Sequence, residues 1–246
     1  MRFQISEIRD FSLIDVVNYP CAIIFLPYCN FNCFWCHNRD IAEGKIVKEV
    51  DENYLKLFLK NVKKVVDFVQ ISGGEPTIND QLLNLLKLIK GAGLKTSLCT
   101  NGSRPDVIRR LIKRNLVDHV SIDVKAELSC KRYKEIAGIK DCSIVPLIEE
   151  SIEVLSSSDI IVEFRTTVIE GFHSISEIVN VYSEISKKLS NSNNKYLVLQ
   201  QFLPPNGTIG LKSTSEKFLV ELGKILKKKC GMKVYIRSIS FTGPLH

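Results

Sequence analysis

The chain has 246 residues, 45% hydrophobic and 25% charged, with a formal net charge of +7. That is the make-up of an ordinary soluble globular protein, long enough to bury a sizeable core as one large domain or two small ones. No apolar run reaches the ~18–20 residues that a membrane helix needs. Met1–Asp10, with Arg2, Glu7, Arg9 and Asp10, has no apolar segment of the kind a signal peptide carries. The chain therefore reads as cytoplasmic, where thiols stay reduced and clustered cysteines point to metal or redox chemistry more than to disulfides.

In chain order, apolar strand-like runs occur at Ala22–Leu26, Val65–Ile71, Lys95–Cys99, His119–Val124, Ile160–Val168 and Tyr196–Phe202, with a short one at Lys233–Ile236. Helical spacing lies between them. One face carries Leu55, Phe58, Leu59 and Val62, and the next carries Leu82, Leu85, Leu86 and Ile89. Leu111 and Ile112 sit in a segment opened by Pro105, a good first helical residue. Ile148, Ile152 and Leu155 form a fourth face, Ile178 to Leu189 a fifth, and Phe218 to Leu226 a sixth. Strand–helix alternation predicts a parallel α/β sheet, and about six units fit a partial (β/α)6 barrel better than the full eight. Ser186–Lys195 reads as a polar loop, and the chain as a single domain over residues 1–246, with a core of about 14–204 and a C-terminal helix and strand over 214–238.

Ligands in such folds sit at the C-terminal ends of the strands. The first strand runs into "LPYCNFNCFWCHNRD", whose cysteines are spaced Cys29-x3-Cys33-x2-Cys36. Three thiolates can hold three irons of a cubane and leave the fourth iron open. A structural zinc would want four ligands and cysteine pairs, and His37 could serve only awkwardly. After strand two comes "SGGEP" at Ser72–Pro76, where Gly73 and Gly74 would let the backbone approach a bound ligand.

This pattern, with Trp35 just before the last cysteine, resembles the radical S-adenosylmethionine (radical SAM) superfamily. "CHN" at Cys36–Asn38, "TNGS" at Thr100–Ser103, "DVKA" at Asp123–Ala126, "EFRTTVIEGFH" at Glu163–His173 and "LQQF" at Leu199–Phe202 extend the likeness. Together they resemble the activating enzymes of glycyl-radical proteins, above all the activating proteins of anaerobic ribonucleoside-triphosphate reductase. The chain differs from that pattern in three places. Cys21 follows Tyr19-Pro20 and Tyr28 precedes the first cysteine, both where glycine is frequent. Cys99 stands where an aspartate often contacts the cofactor's amino group.

The resemblance implies a [4Fe–4S] cluster on Cys29, Cys33 and Cys36, with S-adenosylmethionine on the open iron. It also implies cofactor contacts from Trp35, His37, Gly73, Gly74, Glu75, Asn101, Asp123, Lys125, Arg165 and Gln201. Each has a plainer reading beside it. Asp123 and Lys125 could form a surface ion pair, Trp35 could be packing, and Gln201 could satisfy a strand end. Arg165, inside an apolar strand, needs a partner, either Glu163 or a cofactor carboxylate. His119, His173 and His246 read as bystanders, and Cys21, Cys99, Cys130, Cys142 and Cys230 as small apolar or surface residues.

The implied activity is reductive cleavage of S-adenosylmethionine to a 5′-deoxyadenosyl radical that generates a glycyl radical on a partner protein. A flavodoxin- or ferredoxin-type protein would supply the electron. Two alternatives stand beside it: a radical SAM enzyme acting on a small molecule or RNA, and a non-catalytic iron–sulfur electron carrier. The excess of lysine, as at Lys63-Lys64 and Lys227-Lys228-Lys229, reads as solvated surface, with an acidic protein or a nucleic acid left open. There is no interleaving of aromatic and basic residues of the RNA-binding kind, so nucleic acid is a weak expectation as a partner, and without a long apolar run no membrane is expected.

Overall fold

The computed structural model describes residues 1–189, 193–205 and 210–245. Two compact units divide the chain. The first holds Met1–Asn30, Asn38–Thr100 and Arg104–Ser121; the second holds Phe31–His37, Asn101–Ser103 and the chain from Ile122 onward.

In the first unit, β1 (Arg2–Ile5) and β4 (Lys48–Asp51) form an antiparallel pair. A second sheet runs in the order β6 (Lys95–Thr100), β5 (Phe68–Gly73), β3 (Tyr19–Leu26), β2 (Glu7–Val16). β3, β5 and β6 are parallel, and β2 is an antiparallel edge with two register shifts. From Cys21 to Leu26, β3 is buried throughout, as a parallel strand covered on both faces must be. Four α-helices belong here, α1 (Arg39–Ala42), α2 (Glu52–Val62), α3 (Leu82–Gly91) and α4 (Pro105–Lys113), with a 3₁₀ turn at Pro76–Ile78. α2 starts where the Asp51 carboxylate accepts the Tyr54 N–H at 2.8 Å. Pro105 opens α4, which buries Val107, Ile108 and Leu111 and exposes Arg109 and Arg110.

The chain passes to the second unit within β7 (His119–Asp123). That unit contains β8 (Ile161–Val168), β9 (Lys195–Gln201), β10 (Lys233–Arg237) and β11 (Thr242–Pro244) in that spatial order. β8, β9 and β10 are parallel, and β11 turns back antiparallel. Between them run α5 (Cys130–Ala137), α6 (Ile144–Ser156), α7 (Ile175–Lys187) and α8 (Glu216–Cys230). Ser129, Ser174 and Ser215 cap α5, α7 and α8, and left-handed Gly138 and Gly231 end α5 and α8.

The seven expected strands are present with shifted ends. The second begins at Phe68, because Val65 and Val66 belong to the turn closing α2. β1, β2, β4, β11, α1 and α5 are not among the elements expected from sequence. Part of the expected polar loop is regular structure, since α7 reaches Lys187 and β9 starts at Lys195. Residues 190–192 of that loop, and His246, lie outside the described residues. Cys130 and Cys142, read as separate small residues, are paired as a disulfide with Cα atoms 5.1 Å apart. They are 12 positions apart in sequence, and the turn at Gly138 after α5 brings the chain back.

Candidate cofactor site

In the first unit the end of β3 leads into Cys29 through Tyr28, which takes the left-handed φ of +70°. A side chain is strained there, which accounts for the glycine usual at this position. The loop is held by backbone bonds, Tyr28 N–H to Ile41 O at 3.0 Å and Cys29 N–H to Ala42 O at 3.1 Å. The turn after β5 closes on it, with Gly74 N–H to Leu26 O at 2.9 Å and Glu75 N–H to Tyr28 O at 2.8 Å. A Cβ on Gly73 would overlap the Leu26 carbonyl, and one on Gly74 the Tyr28 carbonyl. The two glycines thus admit the cysteine loop itself. Glu75 is buried, and its Oε1 accepts from Thr77 N at 3.0 Å, Thr77 Oγ1 at 2.5 Å and Thr100 Oγ1 at 2.7 Å. The Asn38 amide adds a bond to Gly73 O at 3.2 Å.

The second unit gathers more of the expected residues. Phe31, Cys33 and Trp35 are buried, and Cys36 N–H reaches Cys33 O at 3.2 Å. Asn32 N–H bonds Ala137 O at 3.1 Å, and a Cβ on Gly138 would overlap the Asn32 carbonyl, so the end of α5 supports this stretch. The Lys125 ammonium lies 5.1 Å from the centre of the Trp35 ring, a cation–π contact. It also pairs with Asp123 Oδ2 at 2.7 Å, while Arg165 Nε donates to Asp123 Oδ1 at 2.6 Å. Arg165 therefore pairs with Asp123. Glu163, the protein partner expected from sequence, is instead ion-paired with Arg237 at 2.8 Å.

Charge in this cluster is arranged to persist. Burial works to raise the Asp123 carboxyl, but Arg165 and Lys125 overcome it and hold it well below the usual carboxylate range. Burial likewise opposes the Lys125 charge, and Asp123 more than restores it. Burial pushes the Cys33 thiol up, against the pull of Lys125. His37 is lowered by burial, opposed by its bond to the Leu203 backbone, and its ring lies edge-on to Phe202 at 6.3 Å.

Two expected residues are engaged elsewhere. Asn101 Oδ1 accepts the Ser103 N–H at 2.9 Å within its own turn. Both ends of the Gln201 amide meet backbone, with Nε2 to Thr214 O at 2.7 Å and Oε1 from Ile239 N–H at 3.0 Å. Cys29 belongs to the first unit, and Cys33 and Cys36 to the second. Among the described residues no group of three or more His, Cys, Asp or Glu side chains gathers around a single metal ion. None of the helices among them is long and apolar enough to cross a membrane.

The residues fit a charged nucleoside cofactor on two counts. Two cations face one carboxylate, leaving positive charge for a ligand carboxylate. The Trp35 indole N–H is buried with no hydrogen-bond partner among the described residues, a cost that a ligand acceptor would remove.

The chain matches the radical SAM superfamily over residues 23–145. A protein of Methanocaldococcus jannaschii, provisionally named as a glycyl-radical enzyme activating enzyme, is 32% identical over 98% of this chain and 99% of its own length. A protein of Thermococcus kodakarensis, provisionally named GTP 3′,8-cyclase, is 29% identical over 59% of this chain and 46% of its own. Among solved structures, QueE from Escherichia coli aligns over 97% of this chain and 95% of its own, with a TM-score of 0.55 and 15% identity. The chain belongs to the radical SAM superfamily. Its fold class is the α/β partial (β/α)6 barrel of mainly parallel strands. It is a radical SAM enzyme, and membership implies an iron–sulfur cluster and S-adenosylmethionine.

Proposed function

We propose that this radical SAM enzyme is an activase that generates a glycyl radical on a partner protein, anaerobic ribonucleoside-triphosphate reductase being the partner we favour. The observation that carries the reading is the 32% identity to the M. jannaschii protein over nearly the whole of both chains. Cys29, Cys33 and Cys36 would hold the cluster. When bound, that group supplies the electron that cleaves S-adenosylmethionine to methionine and a 5′-deoxyadenosyl radical, the species that takes a hydrogen atom from a glycine Cα.

The chain's own part is binding, orientation and exclusion of water. Arg165 and Lys125 offer positive charge to the methionine carboxylate, and Asp123 keeps both cations in place. Trp35 presents its face and its unmatched N–H, and His37 lines the same loop. Gly73, Gly74 and Glu75 fix the turn against Cys29; in the second unit Asn101 holds its own turn and Gln201 braces the end of β9. Lys125 also offsets the negative charge that a Cys33 thiolate brings. In this reading residues 1–246 form one cytoplasmic domain, a flavodoxin- or ferredoxin-type protein reduces it, and neither nucleic acid nor membrane is a partner.

The test is anaerobic electron paramagnetic resonance on reconstituted, reduced enzyme with S-adenosylmethionine and the reductase catalytic subunit. A glycyl-radical doublet is expected, and Cys29→Ala, Cys33→Ala or Cys36→Ala should each abolish both it and 5′-deoxyadenosine formation. The likeness to the provisionally named GTP cyclases favours a second reading, a small-molecule substrate. Release of 5′-deoxyadenosine with GTP, and no radical on the partner, would select it.

A further inference from the structure

β7 ends at Asp123, and the next peptide is still held by β8, with Val124 N–H to Arg165 O at 2.8 Å and Thr166 Oγ1 to Val124 O at 2.7 Å. At Lys125 side chains take over. Its N–H donates to the Tyr133 hydroxyl at 3.3 Å, and its carbonyl accepts from His173 Nε2 at 2.9 Å. The tautomer is fixed, because His173 Nδ1 accepts the Ile169 N–H at 3.0 Å and so the proton sits on Nε2. Tyr133 is fully buried and His173 is 3% exposed. Burying two polar rings is costly unless they are bonded, and here both are bonded to the backbone of one residue, on either side of its Cα. A lysine ammonium rides on a flexible four-carbon stem, so its place over Trp35 depends on a fixed backbone.

We propose that His173 and Tyr133 are positioning residues that clamp the Lys125 peptide and so hold its ammonium between the Asp123 carboxylate and the Trp35 ring. The inference rests on the reading of Lys125 as a cofactor-facing group, and it gives a role to a histidine that the sequence alone leaves as a bystander. Trp35 is the single tryptophan of the chain, so its fluorescence reports on the cation above it.

The experiment compares Trp35 emission of the full chain purified without a cluster in wild type, Lys125→Met, His173→Asn, His173→Gln and Tyr133→Phe. The asparagine can keep the Ile169 bond but cannot reach Lys125 O, whereas the glutamine can. Lys125→Met should change the emission, with His173→Asn and Tyr133→Phe moving it the same way and His173→Gln restoring it. In reconstituted enzyme the Asn and Phe variants should raise the KM for S-adenosylmethionine about tenfold, the scale of one lost hydrogen bond, with little change in kcat. Tyr133→Phe keeps the test open should His173→Asn not fold. Wild-type emission or wild-type KM in both variants overturns the proposal, as does an unchanged spectrum in Lys125→Met. Loss of glycyl-radical formation, with this pattern intact, counts against the activase reading alone.

Discussion

Asp123 is shared between two cations, and its removal would strand both. Arg165 and Lys125 have side chains only 11% exposed. Asp123→Ala should cost about 3–5 kcal/mol in urea unfolding, because breaking a buried pair leaves uncompensated charge. Acid acts on a different residue first. Burial lowers His173, opposed in part by its bond to the Lys125 backbone, so the folded protein resists the proton that the unfolded chain accepts near pH 6.5. Its contribution is present above that value and is lost as pH falls towards the folded value, so unfolding midpoints should drop from pH 7 to pH 5. His173→Gln should flatten that slope, leaving the share of His37, which burial also lowers. From sequence Arg165 was expected to meet Glu163 or a cofactor carboxylate, and its protein partner Asp123, 42 positions away on another strand, was not among those candidates. Glu163 and Arg165 alternate on one strand face, yet the competitor Arg237 lies 74 positions from Glu163.

Among the elements, the parallel strands were the most legible, because strands buried on both faces leave unbroken apolar runs. The edge elements were not. β2 carries two register shifts, which break the alternation that marks a half-buried strand. β1 alternates well, with Phe3 and Ile5 buried, but over too few residues to stand out. The helix α5 was hidden by its polar composition, KRYKE, with Tyr133, Ile136 and Ala137 buried. Its first residue, Cys130, carries the disulfide to Cys142, which a cytoplasmic reading would not supply. Closing a loop of this size contributes about 3 kcal/mol in the chain-entropy account. Cys130→Ser should lower unfolding stability by about that amount, and non-reducing mass spectrometry of the purified chain should show the two cysteines joined. Since Ala137 and Gly138 brace Asn32, the loss should also loosen iron binding by the neighbouring cysteines.

For the molecule as a whole, the net charge of +7 is the relevant number. α4 exposes Arg109, Arg110 and Lys113, Arg114 follows exposed at its C-cap, and the last turn of α8 carries Lys227, Lys228 and Lys229. If the partner presents an acidic face, association should slow by about tenfold or more as salt rises from 0.01 M to 0.15 M, with the Debye length falling from about 30 to 8 Å. Stopped-flow mixing at the two salts measures this; an unchanged rate would mean that these residues serve solvation only. The family core legible from sequence, about residues 14–204, leaves out β10, and with it Arg237. That strand keeps Glu163 occupied two positions from the Arg165 that serves Asp123. A chain clipped ahead of β10 would leave a buried carboxylate seeking a cation, with Arg165 on the same strand face. Proteolysis at the far end of the sequence would then register as a fault in ligand recognition, and a preparation trimmed to its recognisable motifs would misreport the enzyme.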